Sequence, residues 1–317
     1  LYWPFGQHIL SGAELVRRIP NLYAIHLTNH GCGPDTMLTH LFREQMEGKP
    51  YLAIEMDEHS SPVGLATRIE AFISSLHGQK ADSRKALPAY IKEIAHPVAN
   101  IETDPTALRK DLPVLLPHLY PYSQLIAADL AREGFAAEVL PPTSPETLDL
   151  GRSLIQSKEY FSFYALLGDV MSAAKVRPQA QFLLFQTEGA ETDGQYARVI
   201  RTHLDRAGLC NAYLMAPPLE QMPSRPDLAG HLMRLLIAGD LLLSAPPDLR
   251  GALLSEMSAK IRTKKLCQED LTELIGKISP ASAVRRLLIT GEPLAYLNDR
   301  FRRIHIDEWE KAGWSVY

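Results

Sequence analysis

The sequence predicts an α/β protein with parallel sheets, and three observations lead to this fold class. Residues 22–77 pass from an apolar run to a Gly-rich loop, a helical pattern, a second apolar run and a second helical pattern. The same alternation returns beyond about residue 112. The loops at 26–35 and 185–193 also match, because each follows an apolar run, contains a Thr before a Gly and leads into a helix. Strands that alternate with helices in this way form parallel sheets.

The individual elements follow from apolar spacing and from the residues that end each run. In the first part, we predict strands at 22–27 and 51–56 and helices at 35–46 and 62–76. In the second part, we predict strands at 113–116, 136–140, 181–185, 211–215 and 285–289, and helical segments at 123–133, 146–156, 194–206, 226–278 and 299–312. We therefore expect two similar Rossmann-like or flavodoxin-like modules, the first truncated at its start. Residues 1–80 would end the first module, 81–111 would be a linker or crossover, and 112–317 would form the second.

Composition excludes several classes of protein. A net charge of -4 gives no electrostatic reason to bind nucleic acid or an anionic membrane. No apolar run approaches the roughly 20 residues that span a bilayer. Three widely spaced cysteines do not form a disulfide framework, so we expect a reduced, cytoplasmic protein. The chain starts at Leu1 without a helix start signal and ends in residues typical of an opening strand, so we expect an internal piece of a longer polypeptide.

The loop around Cys32 is the sharpest local feature. Gly31 and Gly33 flank Cys32, which lets the backbone approach a bulky ligand closely. The loop also leads into a helix, whose amino-terminal partial charge favours a thiolate. These features suit a ligand of an iron–sulfur cluster, and a buried structural cysteine is the alternative. A zinc site from Cys32 with His26, His30 and Asp35 is a third interpretation, although it lacks the paired spacing of structural zinc sites.

Several motifs of the first part resemble one protein superfamily. They are Pro4-Phe-Gly-Gln-His-Ile-Leu-Ser-Gly-Ala13, residues 23–35, Gly48-Lys-Pro-Tyr51, Glu55-Met-Asp-Glu-His-Ser60 and Thr67-Arg-Ile-Glu-Ala-Phe72. Together they look like the large CoA-enzyme activase-related proteins, which are relatives of 2-hydroxyacyl-CoA dehydratases, benzoyl-CoA reductases and double-cubane cluster proteins. The resemblance implies that Cys32 binds an iron–sulfur cluster of the [4Fe-4S] kind, with its other ligands upstream and outside this chain.

The second part is similar to the dehydratase-subunit module in layout but lacks its cysteines. Its landmarks are Tyr120-Pro-Tyr-Ser123, Gly151-Arg152, Ser157-Lys-Glu159, Gly194-Gln-Tyr196 and Gly291-Glu292. The family carries one Cys directly after the Lys-Glu pair and another just before the Gly-Gln-Tyr stretch. This chain has Tyr160 and the Ala190-Glu-Thr-Asp193 segment there, so we expect the second module to hold no cluster. We expect Cys210 and Cys267 to be structural cysteines.

The resemblance implies a part in ATP-driven, low-potential electron transfer to, or dehydration or reduction of, CoA thioesters. The expected partners are an upstream activase ATPase domain or a partner subunit, in a dimeric parent protein, and a CoA thioester. Neither a Walker motif nor a dinucleotide fingerprint occurs, so we expect no ATP site in this chain and no activity of this part alone. The alternatives are a non-redox interaction module that has lost its cluster and a CoA-thioester binder that uses residues 187–194 with Glu191 and Asp193.

One acidic segment has no assigned role. Glu55, Asp57, Glu58 and His59 follow a predicted strand and could bind a cation or a partner. Their other interpretation is a solvated strand end that caps the next helix.

Overall fold

The structure is a computed structural model that describes residues 3–28, 33–56, 61–77, 101–155, 159–187, 192–219, 226–278, 285–287, 307–312 and 314–316. The chain divides into two compact units. Unit 1 contains residues 1–99 together with 155–160 and 188–195, and unit 2 contains residues 100–154, 161–187 and 196–317. Unit 1 is therefore discontinuous in sequence.

Unit 1 is built on a parallel strand pair with helices around it. Its elements are α1 (Pro4–Arg18), β1 (Ala24–Thr28), α2 (Pro34–Met46), β2 (Tyr51–Glu55), α3 (Pro62–His77) and one turn of 3-10 helix, Thr192–Gln195, called the 192–195 turn below. Strand β1 pairs with β2 so that His26 lies beside Ala53. Helices α1 and α2 pack against each other, and Ala13, Phe42 and Met46 form the buried centre of their contact.

Unit 2 contains a five-stranded parallel sheet. Its strands are β3 (Ile101–Glu102), β4 (Val114–Leu116), β5 (Ala137–Val139), β6 (Gln181–Leu183) and β7 (Tyr213–Met215). They lie in the order β3-β7-β6-β4-β5. The order β5-β4-β6-β7 is the 2-1-3-4 order of flavodoxin-like folds, with β3 added at the edge beside β7. A separate parallel pair joins β8 (Arg285–Leu287) to β9 (Trp314–Val316).

The helices of unit 2 bury the sheet and one another. They are α4 (Tyr122–Arg132), α5 (Pro145–Leu154), α6 (Phe161–Val176), α7 (Tyr196–Arg206), α8 (Pro226–Ser244), α9 (Pro247–Thr263), α10 (Gln268–Lys277) and α11 (Asp307–Lys311). Helix α4 shares an apolar core with α8, α9 and α10, centred on residues such as Leu125 and Leu242. None of the described helices combines the length and the hydropathy that crossing a bilayer requires.

The predicted α/β class with parallel sheets is confirmed, since every strand pairing among the described residues is parallel. The similarity of two modules stays a prediction. Three elements were not predicted. Helix α1 starts at Pro4, and its N-cap Trp3 provides no side-chain hydrogen bond, so Pro4 marks the start without a capping residue before it. Helix α6 is buried on most of its surface and therefore has no amphipathic period, while β3 is only two residues long.

Candidate functional site

The loop that leads into α2 ends at Gly33, which holds the N-cap position. Gly33 has φ 56° and ψ -133°, a backbone conformation that glycine adopts without strain from a Cβ. Pro34 then starts the helix, where its missing N–H has no intrahelical partner to lose. The expected role of Gly33 in the close approach of a bulky ligand stays a prediction. Gly31 and Cys32, the other two predicted site residues, lie outside the described residues.

A tyrosine distant in sequence contacts the start of α2. The backbone N–H of Gly33 donates a hydrogen bond of 2.7 Å to the Oη of Tyr160. Tyr160 lies at the position, directly after the Lys-Glu pair, where the resemblance puts a cysteine, and its side chain is 37% exposed. Helix α2 also packs against the 192–195 turn, the other segment where a cysteine was expected. In unit 1, therefore, one place where the resemblance puts a thiolate contacts Gly33, and the other contacts α2.

A buried ion network lies further along α2 and includes Glu159, the residue before Tyr160. The Nδ1 of His40 is 2.9 Å from the Oε1 of Glu159, and the Nε2 of His40 is 2.9 Å from the Oε1 of Glu44. The side chains of His40 and Glu159 are both 0% exposed. Burial alone would lower the pKa of His40, but the hydrogen bonds to Glu159 and Glu44 raise that pKa to about 9. At neutral pH the imidazolium therefore forms ion pairs with both carboxylates.

His26 is a second buried histidine of unit 1, in a different environment. Its ring stacks on Phe42 with centroids 4.4 Å apart and an angle of 18° between the planes. Within the part of the chain that the structure describes, neither ring nitrogen has a hydrogen-bond partner. Burial lowers the pKa of His26, and the charge of Asp35 opposes that shift. His26 is therefore neutral at pH 7. The zinc interpretation stays a prediction, because His30 and Cys32 lie outside the described residues.

The remaining sequence candidates have mixed outcomes in the part of the chain that the structure describes. Glu55 ends β2, whereas residues 57–60 and Glu191 lie outside the described residues. Asp193 belongs to the 192–195 turn. Cys267 is the N-cap of α10 and forms a reciprocal capping box with Asp270, to whose Oδ2 its thiol donates at 2.9 Å. The hydrogen bond to Asp270 raises the pKa of this thiol, as expected for a structural cysteine.

The donor set at the start of α2 does not fit a complete iron–sulfur cluster. Such clusters are held by several cysteine thiolates, and the described residues of unit 1 contain no cysteine. The free cysteines Cys210 and Cys267 belong to unit 2. A phenol hydroxyl at position 160 is a harder donor than the thiolates that sulfide-bridged iron prefers. At most one thiolate, from Cys32, remains for a cluster that uses ligands from elsewhere.

Sequence reasoning missed the ion network entirely. Glu159 was noticed only as part of a landmark, and neither His40 nor Glu44 was a candidate. The Glu44 contact has a local signal, since residues four apart lie on one face of a helix. The contact with Glu159 has none, because it joins residues more than a hundred positions apart.

Comparisons of the chain with protein-family models, with curated proteins and with solved structures found no significant match. Kinship with the cluster-binding superfamily therefore stays a proposal that rests on the quoted motifs.

Proposed function

We propose that this chain is part of an iron–sulfur protein that transfers low-potential electrons to, or dehydrates or reduces, CoA thioesters. ATP hydrolysis would take place in an activase domain or subunit outside this chain, within a dimeric cytoplasmic assembly. Cys32 would contribute one thiolate to a [4Fe-4S] cluster whose other ligands lie outside this chain. The part from about residue 112 onward would hold no cluster of its own.

The observation that carries this proposal is that α2, with its N-cap Gly33, contacts both segments where the resemblance puts the missing cysteines. Three places that the resemblance marks as thiolate positions are the Cys32 loop, position 160 and the segment before Gly194. In unit 1, Gly33 is hydrogen-bonded to Tyr160, and α2 packs against the 192–195 turn. These contacts of both segments with α2 support the proposal, because ligands of one cluster must lie close together in the fold.

Two features of the chain bear on how this site would work. Gly33 adopts a left-handed φ, which keeps its amide free to point away from the helix towards Tyr160. The partial positive charge at the amino end of α2 would favour the thiolate form of a cysteine in the preceding loop. A bound cluster would supply one-electron transfer at low potential.

The test is the iron and acid-labile sulfide content per chain after anaerobic purification. The longer polypeptide to which this chain is expected to belong should contain both, and Cys32→Ser should remove them. Cys210→Ser is the matched control, because Cys210 is exposed and belongs to unit 2. Iron at background level in the unaltered protein, or iron that survives Cys32→Ser, would contradict the proposal.

A second candidate is a cluster-free module that docks a partner protein. The observation that favours it is the hydrogen-bonded contact of Gly33 with Tyr160, next to the buried pair of His40 and Glu159. Such a contact stabilises the site without any ligand. Absence of iron together with stable binding of an isolated activase ATPase subunit would select this candidate over the first.

A further inference from the structure

The resemblance puts a cysteine thiolate at position 160, where this chain has a tyrosine. The contacts of this tyrosine and its neighbour show how the segment is held. A cluster ligand fastens its own loop to the others through a metal bond, so the loss of a thiolate should leave that loop unfastened. In this chain, the segment that carries Glu159 and Tyr160 is nevertheless attached to α2 at two points. The Tyr160 hydroxyl accepts from the Gly33 amide at 2.7 Å. The Glu159 carboxylate is paired with His40 at 2.9 Å.

The two attachment points lie far apart on the helix. Gly33 and His40 are seven residues apart, which corresponds to roughly 10 Å along an α-helix. Two residues adjacent in sequence therefore contact the start of α2 and a point about two turns further along. This fixes both the position and the direction of the segment, which a single hydrogen bond would not do.

The attachment at His40 excludes water. The His40 and Glu159 side chains are 0% exposed, and Glu44 is 13% exposed on the other side of the ring. A buried carboxylate is costly when its cation is removed. Glu159 is thereby held in place, and Tyr160 is carried to Gly33.

We infer that the hydrogen bond between the Gly33 amide and the Tyr160 hydroxyl takes the place of a metal–thiolate bond that the resemblance puts at position 160. The Glu159–His40–Glu44 network positions Tyr160 for this contact. The segment that contains Glu159 and Tyr160 then stays fastened to α2 without a metal ion. The inference rests on the proposed function in one respect, because the proposed function makes position 160 a former thiolate position. It applies whether or not Cys32 holds a cluster.

The first experiment is amide hydrogen exchange of the whole chain in the presence and absence of EDTA. Exchange at Gly33 and in the 155–160 segment should be the same with and without chelator. Tyr160→Phe removes one hydrogen bond and should speed exchange at Gly33 roughly 2- to 10-fold. His40→Gln removes the imidazolium from between Glu159 and Glu44 and should speed exchange in the segment roughly 100-fold.

Matched controls separate a local effect from general loss of stability. Tyr164→Phe removes another tyrosine hydroxyl that accepts a side-chain hydrogen bond, from Arg152. His231→Gln removes another buried histidine, whose Nε2 is 2.7 Å from Asp129. Both lie in unit 2 and should leave exchange at Gly33 unchanged. The inference is wrong if EDTA speeds amide exchange in the 155–160 segment of the unaltered chain. It is also wrong if exchange at Gly33 is no faster in Tyr160→Phe than in Tyr164→Phe.

The second experiment restores a thiolate at position 160. Tyr160→Cys should bind Co²⁺ with the absorption of thiolate-to-cobalt charge transfer, at least 10-fold more tightly than the unaltered chain. The variant that combines Tyr160→Cys with Cys32→Ser should lose this gain, and Tyr164→Cys should not show it. No gain with Tyr160→Cys, or an equal gain with Tyr164→Cys, would show that position 160 is not the thiolate position. The iron content of the protein tests the proposed function in a separate experiment. Failure of the inference can therefore be told apart from failure of the proposed function.

Discussion

At the scale of single residues, two buried histidines of unit 1 have opposite electrostatics. His40 lies between two carboxylates and carries a proton at neutral pH, whereas His26 stacks on Phe42 and is neutral. The difference comes from the partners of each ring, since both rings are almost fully buried. Each histidine should therefore leave its own signature in the pH dependence of stability.

His40 should make the protein lose stability as the pH rises above neutrality. Its folded pKa of about 9 lies above the ordinary value of 6.5. A raised pKa gives a contribution that is complete below pH 6.5 and disappears as the pH rises through 9, with a total on the order of 3 kcal/mol. Urea unfolding at pH 6, 8 and 9.5 should show this loss in the unaltered chain. His40→Gln should be less stable at pH 6 and nearly independent of pH over this window, and parallel curves would contradict the assignment.

His26 should make the protein sensitive to acid instead. Burial lowers its pKa, so the unfolded chain binds a proton more readily, and stability falls as the pH drops below the ordinary value of 6.5. His26→Leu removes both ring nitrogens that have no hydrogen-bond partner among the described residues. It should raise the free energy of unfolding at pH 7 by about 1 kcal/mol and by more at pH 5. Thermal unfolding at the two pH values checks this, and a destabilised variant with unchanged acid sensitivity would refute it.

At the scale of elements, a close contact in unit 2 joins α5 to α6 through two glycines. A Cβ on Gly151 would lie 1.8 Å from the carbonyl oxygen of Tyr164, and one on Gly168 would lie 1.8 Å from that of Thr147. Both obstacles are backbone atoms, so neither can rotate away. The two helices would have to separate, which would open the surrounding core.

Gly168→Ala should therefore destabilise the protein by about 3 kcal/mol or more, although alanine favours helices over glycine. Gly251→Ala is the matched control, because Gly251 lies in α9 with nothing within 4 Å of an added Cβ. The control should gain about 0.5–1 kcal/mol from helix propensity. Denaturant unfolding of the two variants measures both effects, and equal stability of Gly168→Ala and the unaltered chain would show that α5 and α6 pack less closely.

The sequence predicts an element well where periodicity and end signals agree. Helix α2 was predicted within one residue, because its apolar residues lie on one face and Gly48 and Pro50 follow it. Helix α6 was missed because it is apolar on nearly every side. The site shows a different limit. Local sequence signals identify Gly33 as the residue before α2. They do not identify its hydrogen-bond partner Tyr160, which lies 127 residues further along the sequence, because only tertiary folding brings the two together.

At the scale of the whole molecule, unit 1 takes residues from three stretches of the chain. Residues 155–160 and 188–195 belong to it together with residues 1–99. The two added stretches carry the partner of His40, the partner of Gly33 and the turn that packs on α2. Residues that complete the core of unit 1 are therefore provided by the second half of the sequence, and local patterns do not reveal this.

A peptide of residues 1–80 should consequently not fold as unit 1 does. It would keep α1, α2 and the parallel strand pair, but it would leave His40 without Glu159 and α2 without the 192–195 turn. Losing the buried ion pair costs on the order of 3–5 kcal/mol, a large part of the stability of a small domain. Circular dichroism should show no cooperative thermal transition for the peptide, while the entire chain unfolds cooperatively. A peptide that melts as sharply and at the same temperature as the entire chain would show that residues 1–80 form an independent domain and that the contacts of Glu159 and Tyr160 contribute little.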